Sequence, residues 1–266
     1  MDELFGFSKF LLTLLIFVPV ERLFAARSQK IFRRGLLTDL VFQFVNGWLV
    51  LAGVVVIVAV AIVVNQSVLP TAVKHAIDAL PFFVQVILVV LIGDIGVYWT
   101  HRILHAVPAM WHIHAVHHAV EELDWLAAVH QHPLDVIFMK AGSVFPLFVL
   151  GFSSEAIGTY FLIYYWQAYL VHANVHLNYG PLRYLLVSPE FHHWHHSSEL
   201  EARDKNFAGM FSFYDLLFGT VYLPKGQRPK TFGVDNAMPS NYLLLLAYPF
   251  VAWASRQKHC SKAHEE

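Results

Sequence analysis

The sequence is nearly without cysteine. Cys260 is the single one in 266 residues. It cannot close an internal disulfide, and with no CxxC there is neither a zinc ribbon nor a thioredoxin-type site. Any bound metal must then be held by nitrogen and oxygen. Charge is scarce as well: Asp, Glu, Lys and Arg make up 14 % of the chain, against about 25 % in a typical soluble domain. The net charge of -1 provides no basic field to neutralise phosphates, so nucleic acid is excluded as a partner. The HExxH pair of an intramembrane zinc protease is absent. The N-terminus lacks the basic region and small-residue cleavage site of a secretory signal, so none is expected. No internal repeat or Gly/Ser linker divides the chain, and residues 1–266 are expected to form one domain.

What fills the sequence instead is apolar. Hydrophobic residues account for 57 % and the mean hydropathy is +0.51. That excludes disorder, which needs low hydrophobicity and high charge, and argues against a soluble domain. Five apolar segments stand out, at about 4–20, 36–64, 81–99, 136–151 and 155–171. A helix crossing the hydrocarbon needs about 20 residues. The second and third satisfy this outright; the other three are shorter and read as spans or a re-entrant hairpin. Helix is the default, because a lone strand leaves its backbone unsatisfied in lipid. The expectation is an all-α integral membrane protein, multi-pass, with four or five membrane helices. A cytosolic helical cap is expected from about 100–135 and 172–235. The short apolar run from Tyr242 to Phe250 should lie on the bilayer or pack on the cap.

Basic residues set the orientation. Arg22, Arg27, Lys30, Arg33 and Arg34 fall between the first two segments, whereas the connection at about 65–80 has only Lys74. The 21–35 loop should face the cytoplasm. Counting crossings then places the end of segment three, the start of segment four and the end of segment five on that same side.

Histidine gathers at those places. There are 17 histidines, against 18 Lys plus Arg, and fourteen of them lie between positions 101 and 196. His101 and His105 are spaced i, i+4. His114, His117 and His118 are i, i+3, i+4. His172 and His176 repeat the pair, and His192, His195 and His196 repeat the triplet. Residues three and four apart share a helix face, so each set aims two or three imidazoles in one direction. Neutral imidazole is the commonest metal ligand and suits iron, zinc, copper and nickel. Ten ligands exceed the four of one tetrahedral zinc and suit two metals of about five ligands each. A pair of metals with open positions and few carboxylates fits non-haem iron that activates O2. His112 and His193 are off-face members of their sets and are not expected to ligate; His75, His259 and His264 are expected to be solvated. A membrane metal- or haem-binding electron-transfer protein is the non-enzyme alternative. Bis-histidine haem, however, needs single histidines near mid-span on facing helices, and here they bunch at segment ends.

These residues carry a family likeness. His101-Arg102-Ile103-Leu104-His105, His114-Ala115-Val116-His117-His118 and His192-His193-Trp194-His195-His196 resemble the HxxxH, HxxHH and HxxHH boxes of the fatty acid hydroxylase/sterol desaturase superfamily. Asp94, the run Tyr98-Trp99-Thr100, Pro108 and Trp111 resemble the residues around its first two boxes. His172-Ala173-Asn174-Val175-His176 resembles its further histidine pair. Pro189 to His196, Asp204-Lys205-Asn206-Phe207 and Tyr214-Asp215-Leu216-Leu217-Phe218-Gly219-Thr220 resemble its C-terminal signature. The likeness covers about 90–222.

The resemblance implies a di-iron oxidoreductase that uses O2 and two electrons to hydroxylate a C–H bond of a membrane-embedded lipid, or, in the alternative, to desaturate it. Two iron ions would be the cofactor, with zinc as a possible substitute in purified protein, and O2 the co-substrate. The ten histidines would be the metal ligands: His101, His105, His114, His117, His118, His172, His176, His192, His195 and His196. His132 would be a neighbouring, non-ligand residue. His130 stands where the family has Arg in an Arg-x-His-Pro stretch, and could tune the site or add a ligand. Asp94, charged within an apolar segment, is either an acceptor that orients a ligand imidazole or a helix-packing residue. Asp204 and Asn206 either support ligands or form a turn. Glu121, Glu122 and Asp124 are expected to cap or solvate a helix end. No further domain is expected for electron transfer, so the partners are a lipid and a separate donor: a reductase, ferredoxin or cytochrome.

Overall fold

The computed structural model describes residues 2–262, with side chains described for 7–255. Among the described residues the chain is helical, and its two isolated bridges, Ala25 with Val175 and Ser197 with Phe232, build no strand. The helices are α1 (Asp2–Leu23), α2 (Leu36–Val68), α3 (Thr71–Asp78), α4 (Phe82–Ala106), α5 (Pro108–His118), α6 (Pro133–Leu150), α7 (Ser154–His172), α8 (Pro189–His195), α9 (Phe213–Leu217) and α10 (Tyr242–Lys262). His264 lies outside the described residues, and His259 falls in the part of α10 without described side chains.

Three helices, α2, α4 and α6, are long and apolar enough to cross a membrane. α2 makes the case most directly. Its buried residues are Asp39, Phe42, Asn46 and Ala61, while Val55, Val56, Val60 and Val63 are all about half exposed or more. A stripe of valines this broad is untenable in water and ordinary in hydrocarbon. The apolar segments expected at 4–20 and 155–171 are helical as well, as α1 and α7. The third segment differs from its expected boundary. The helix does not stop at 99 but runs to Ala106, so His101 and His105 ride on the apolar helix itself rather than on a separate cap. It ends where Pro108, with no N–H and a fixed φ, starts α5 at its first turn.

Packing explains how α4 and α6 place the site. α6 lies between α2 and α4, and α4 also meets α5 and α7. The closest approach is at two glycines. A Cβ on Gly96 would stand 2.1 Å from the Gly142 carbonyl oxygen, and one on Gly142 would stand 2.2 Å from Thr100 Cγ2. Small residues let helix backbones approach this closely. α1 is fixed by aromatics: Phe17 stacks on Trp125 at 6.3 Å and on Trp166 at 6.3 Å.

The basic loop between α1 and α2 is tied to the same end of the helices. Arg33 reaches Asp124 through Nε and Nη2, each at 2.6 Å, and Asp39 through Nη2 at 2.6 Å. All three residues are buried. Burial alone would lower the arginine's pKa, but the two carboxylates outweigh it and hold the guanidinium above its ordinary range. Asp124 also accepts from Leu126 and Ala127 N–H, capping the turn at 125–129. Asp124 thus caps a turn, as expected. Glu122 receives the Arg34 N–H and Glu121 faces the Arg34 guanidinium at 3.6 Å.

α10 crosses this end of the molecule and packs on α5 and α2. Leu245 is buried with Phe42 and Val116, and Trp253 donates to the Ala109 carbonyl at 2.8 Å. Leu243, Leu244, Phe250 and Val251 remain exposed.

Gly142→Val should force α4 and α6 apart and cost about 1–3 kcal/mol, the usual penalty of overpacking. A lowered thermal midpoint in detergent is the expected outcome; an unchanged midpoint would contradict the close contact.

Candidate metal centre

Nine histidines come together in two groups. One holds His101 and His105 from α4, His114 and His118 from α5, and His195 from α8. The other holds His117 from α5, His172 at the end of α7, and His192 and His196 from α8 and its cap. Within each group, one ring nitrogen per residue lies within 4.8 Å of all the others. Eight of the nine are buried and His105 is half-buried. The groups abut: the rings of His118 and His196, one from each, are 4.6 Å apart. α5 and α8 each serve both groups, because i, i+4 residues share a face and the third histidine of the triplet points to the neighbouring one.

Six outer nitrogens are held by the fold, while Nδ1 of His192 and of His196 is buried without a hydrogen-bond partner. His101 Nδ1 lies 2.8 Å from the Phe207 carbonyl, His117 Nδ1 3.2 Å from that of His130, His172 Nδ1 2.7 Å from that of Ala168, and His195 Nδ1 2.8 Å from that of Lys205. A carbonyl only accepts, so each Nδ1 carries the proton and each neutral ring keeps its lone pair on Nε2. His114 Nδ1 faces Asp135 Oδ2 at 2.8 Å, and His105 Nδ1 faces Asp204 Oδ1 at 3.1 Å. These partners orient the rings.

The inner nitrogens then pose a problem that a cation resolves. His117 and His172 bring their Nε2 atoms to 3.2 Å, and His101 and His114 to 3.0 Å. With the protons outside, lone pair faces lone pair. The Nε2 atoms of His105 and His195 are buried with no partner at all. Burial, reinforced by neighbouring histidines, pushes His114, His117, His118, His192, His195 and His196 well below their ordinary value. The rings are held neutral, as metal ligands must be.

His176 does not join them. α7 ends at His172, and the chain turns extended from Ala173 to form the bridge between Val175 and Ala25. The i, i+4 relation requires continuous helix, so His176 leaves the shared face and is exposed. His193 is buried but donates to the Ala173 carbonyl at 3.0 Å; neither it nor His112 is in either group.

The supporting residues divide. Asp204 touches His105, as stated above. His130 supports His117 through its backbone carbonyl, while its ring meets Asp39. His132 caps α6, accepting the Leu134 N–H on Nδ1 and donating from Nε2 to Leu246 O. Asp94 does not orient an imidazole. It accepts the backbone N–H groups of Gly209, Met210 and Phe211 at 2.8–3.1 Å, clasping that loop to α4. Asn206, at a positive φ of 61°, joins the Phe191 and Tyr222 carbonyls and the Tyr222 N–H. It touches no ring, but it fixes α8. Sequence reasoning missed Asp135 and Asp215. Asp135, fully buried, was an ionisable residue at the very edge of an apolar segment, the same signal that singles out Asp94. Asp215 accepts from Phe207 and Ala208 N–H and from Thr220 Oγ1, steadying the Phe207 carbonyl that receives His101.

Of the cavities in the fold, one opens onto the histidines and a larger one does not reach them. One, of about 330 Å³, has His105, His118 and His195 in its wall. The other, about 740 Å³, lies among α1, α4, α6 and α7 and is mostly apolar.

Comparison with known proteins decides the family. The model of the fatty acid hydroxylase family matches residues 86–220, from α4 through the last loop that supports the histidines.

The chain belongs to the fatty acid hydroxylase family.

Among similar members of the family, an ornithine lipid hydroxylase, OlsE, from Rhizobium tropici is 30 % identical over 173 residues, 65 % of this chain and 52 % of that one. An alkylglycerol monooxygenase from Homo sapiens is 34 % identical over 131 residues, 48 % of this chain and 28 % of its own length. That of Xenopus tropicalis is 30 % identical over 135 residues, 51 % and 30 % respectively. The chain thus spans about half the length of the first and under a third of the other two. No solved structure matches it.

Two outcomes follow for this member of the family. Asp135→Ala removes the carboxylate behind His114 and should weaken metal binding about 10- to 100-fold, measured by competition with a chelator. In the metal-free protein the six depressed histidines set the acid limit. Below pH 6.5, their ordinary value, the unfolded chain takes up protons that the folded chain refuses, so stability falls with falling pH. A thermal midpoint that stays level from pH 7 down to 5 would contradict this.

Proposed function

We propose that the chain is a membrane-embedded lipid hydroxylase with a dinuclear iron centre held by nine histidines: His101, His105, His114, His118 and His195 at one position, His117, His172, His192 and His196 at the other. The observation that carries this is the convergence of neutral imidazole lone pairs in two abutting groups. One tetrahedral metal needs four ligands; five and four describe two metals. A nitrogen-only donor set without cysteine suits iron, zinc or copper, and the hydroxylase and monooxygenase names of the relatives favour iron.

Hydroxylation turns a C–H bond into C–OH. One atom of O2 enters the product and the other leaves as water, with two electrons and two protons taken up from a separate donor. Bound iron would supply the redox chemistry for O2. The chain's own residues do the rest. Carbonyls of Phe207, His130, Ala168 and Lys205 keep four rings in the required tautomer. Asp135 and Asp204 orient two more. The aromatic and aliphatic packing around α4, α5 and α8 excludes bulk water from the inner nitrogens. The cavity beside His105, His118 and His195 admits substrate.

The reading includes one membrane domain over residues 1–266, four or five spans made by α2, α4 and α6 with α1 and α7, and a cap beyond the membrane. The basic 24–35 loop is tied to the histidine end through Arg33 and Asp124, which supports a cytoplasmic centre.

Protein purified without oxygen should carry about two irons per chain and no Soret band. Cells making the chain should gain lipids heavier by about 16 Da, and His117→Ala should lose both metal and product. Products lighter by about 2 Da would identify desaturation instead; full activity in His117→Ala would overturn the assignment.

A further inference from the structure

The two cavities differ in kind. The smaller has three of the nine histidines in its wall, along with Trp111, Tyr248, Arg203, Asp204 and Asp235. None of the nine lines the larger one. Its lining includes Val97, one turn before His101, and Ala168, whose carbonyl receives the far side of His172. A carbon reacts only where it can be held a few ångströms from the metal's open side, and only the smaller cavity offers that.

Resting on the hydroxylase reading above, we propose that the lipid is oxidised at its polar end. The head and the atoms joining it to the hydrocarbon enter the smaller cavity, and the chain leaves past Tyr248 to the bilayer. Tyr248 on α10 shares a helix face with Leu244 four residues earlier and Val251 three residues later. Both are exposed, at 56 % and 60 %, and form an apolar track from the mouth of the cavity. The wall itself is polar. Arg203 is already paired with Asp235 at 2.7 Å, and Asp204 gives one oxygen to His105 and is otherwise exposed. Ser197, Ser198, Asn236 and the Trp111 and Tyr248 side chains add further donors and acceptors, so the fitting end of the lipid is a polar head that exchanges hydrogen bonds with them, such as a hydroxyl-bearing one. A methyl-ended tail would have to displace water from these groups and offer nothing in return.

The test maps the added oxygen. Lipids from cells making the full chain are compared with those from cells making His117→Ala, and each species heavier by about 16 Da is fragmented. Oxygen retained in the head-bearing fragment is the expected result. Oxygen on the hydrocarbon chain alone overturns the proposal and leaves the hydroxylase reading standing. No oxygenated lipid from a chain that carries its metal overturns that reading, and the proposal with it. Binding is read separately with a photoreactive N-acylethanolamine whose diazirine sits beside the head. It should label residues 195–204 or 233–236; labelling confined to residues 136–169 overturns the proposal. Val234→Trp, which fills the smaller cavity, should keep its metal and lose the labelling together with about ten-fold or more of the product. Leu162→Trp, in the larger cavity, should leave the position of the oxygen unchanged. Labelling and product that survive Val234→Trp overturn the proposal.

Discussion

Neutral imidazoles crowded with their lone pairs inward are the constraint on which this structure turns. Each pair of inner nitrogens repels until a cation separates them, and each outer N–H must find an acceptor in a buried place. The fold meets the second demand for six of the nine rings. Carbonyls of His130, Ala168, Lys205 and Phe207 accept four of the outer protons. Side-chain carboxylates serve where no carbonyl reaches. Asp94, Asp215 and Asn206 act one step further out, by holding the loops that supply the carbonyls.

This division explains what was legible in the sequence. Spacing of three and four shows that His114, His117 and His118 share a helix side, and that His192, His195 and His196 do too. Apolar length shows α2, α4 and α6. Neither signal says that a triplet is split between two groups, because that depends on how α5 and α8 face each other. His176 shows the limit of spacing as evidence: the four-residue interval is there, but the helix that would give it meaning stops at His172. The extension of α4 to Ala106 was hidden by a change in residue type, since polar histidines end the apolar run without ending the helix.

The supporting residues were harder to read because their work is done by backbone atoms. His130 contributes a carbonyl, which every residue has, and its ring is engaged elsewhere with Asp39. Asp94 has a conspicuous charge in an apolar helix, and the natural inference is a link to a ligand ring. It binds three amides of a distant loop instead. Asp135 carries the link that Asp94 was expected to make, from a position two residues into α6.

The sharing of α5 and α8 between the groups has a consequence for assembly. Six of the nine histidines lie on, or at the cap of, two short helices, one of 11 residues and one of 7, too short to be stable by themselves. An ion bound at either position would order both helices, and so set the remaining ligands of the other. The entropy of ordering is spent once for two binding events. Loading should therefore be all or none, with chains carrying a single ion rare at any metal concentration.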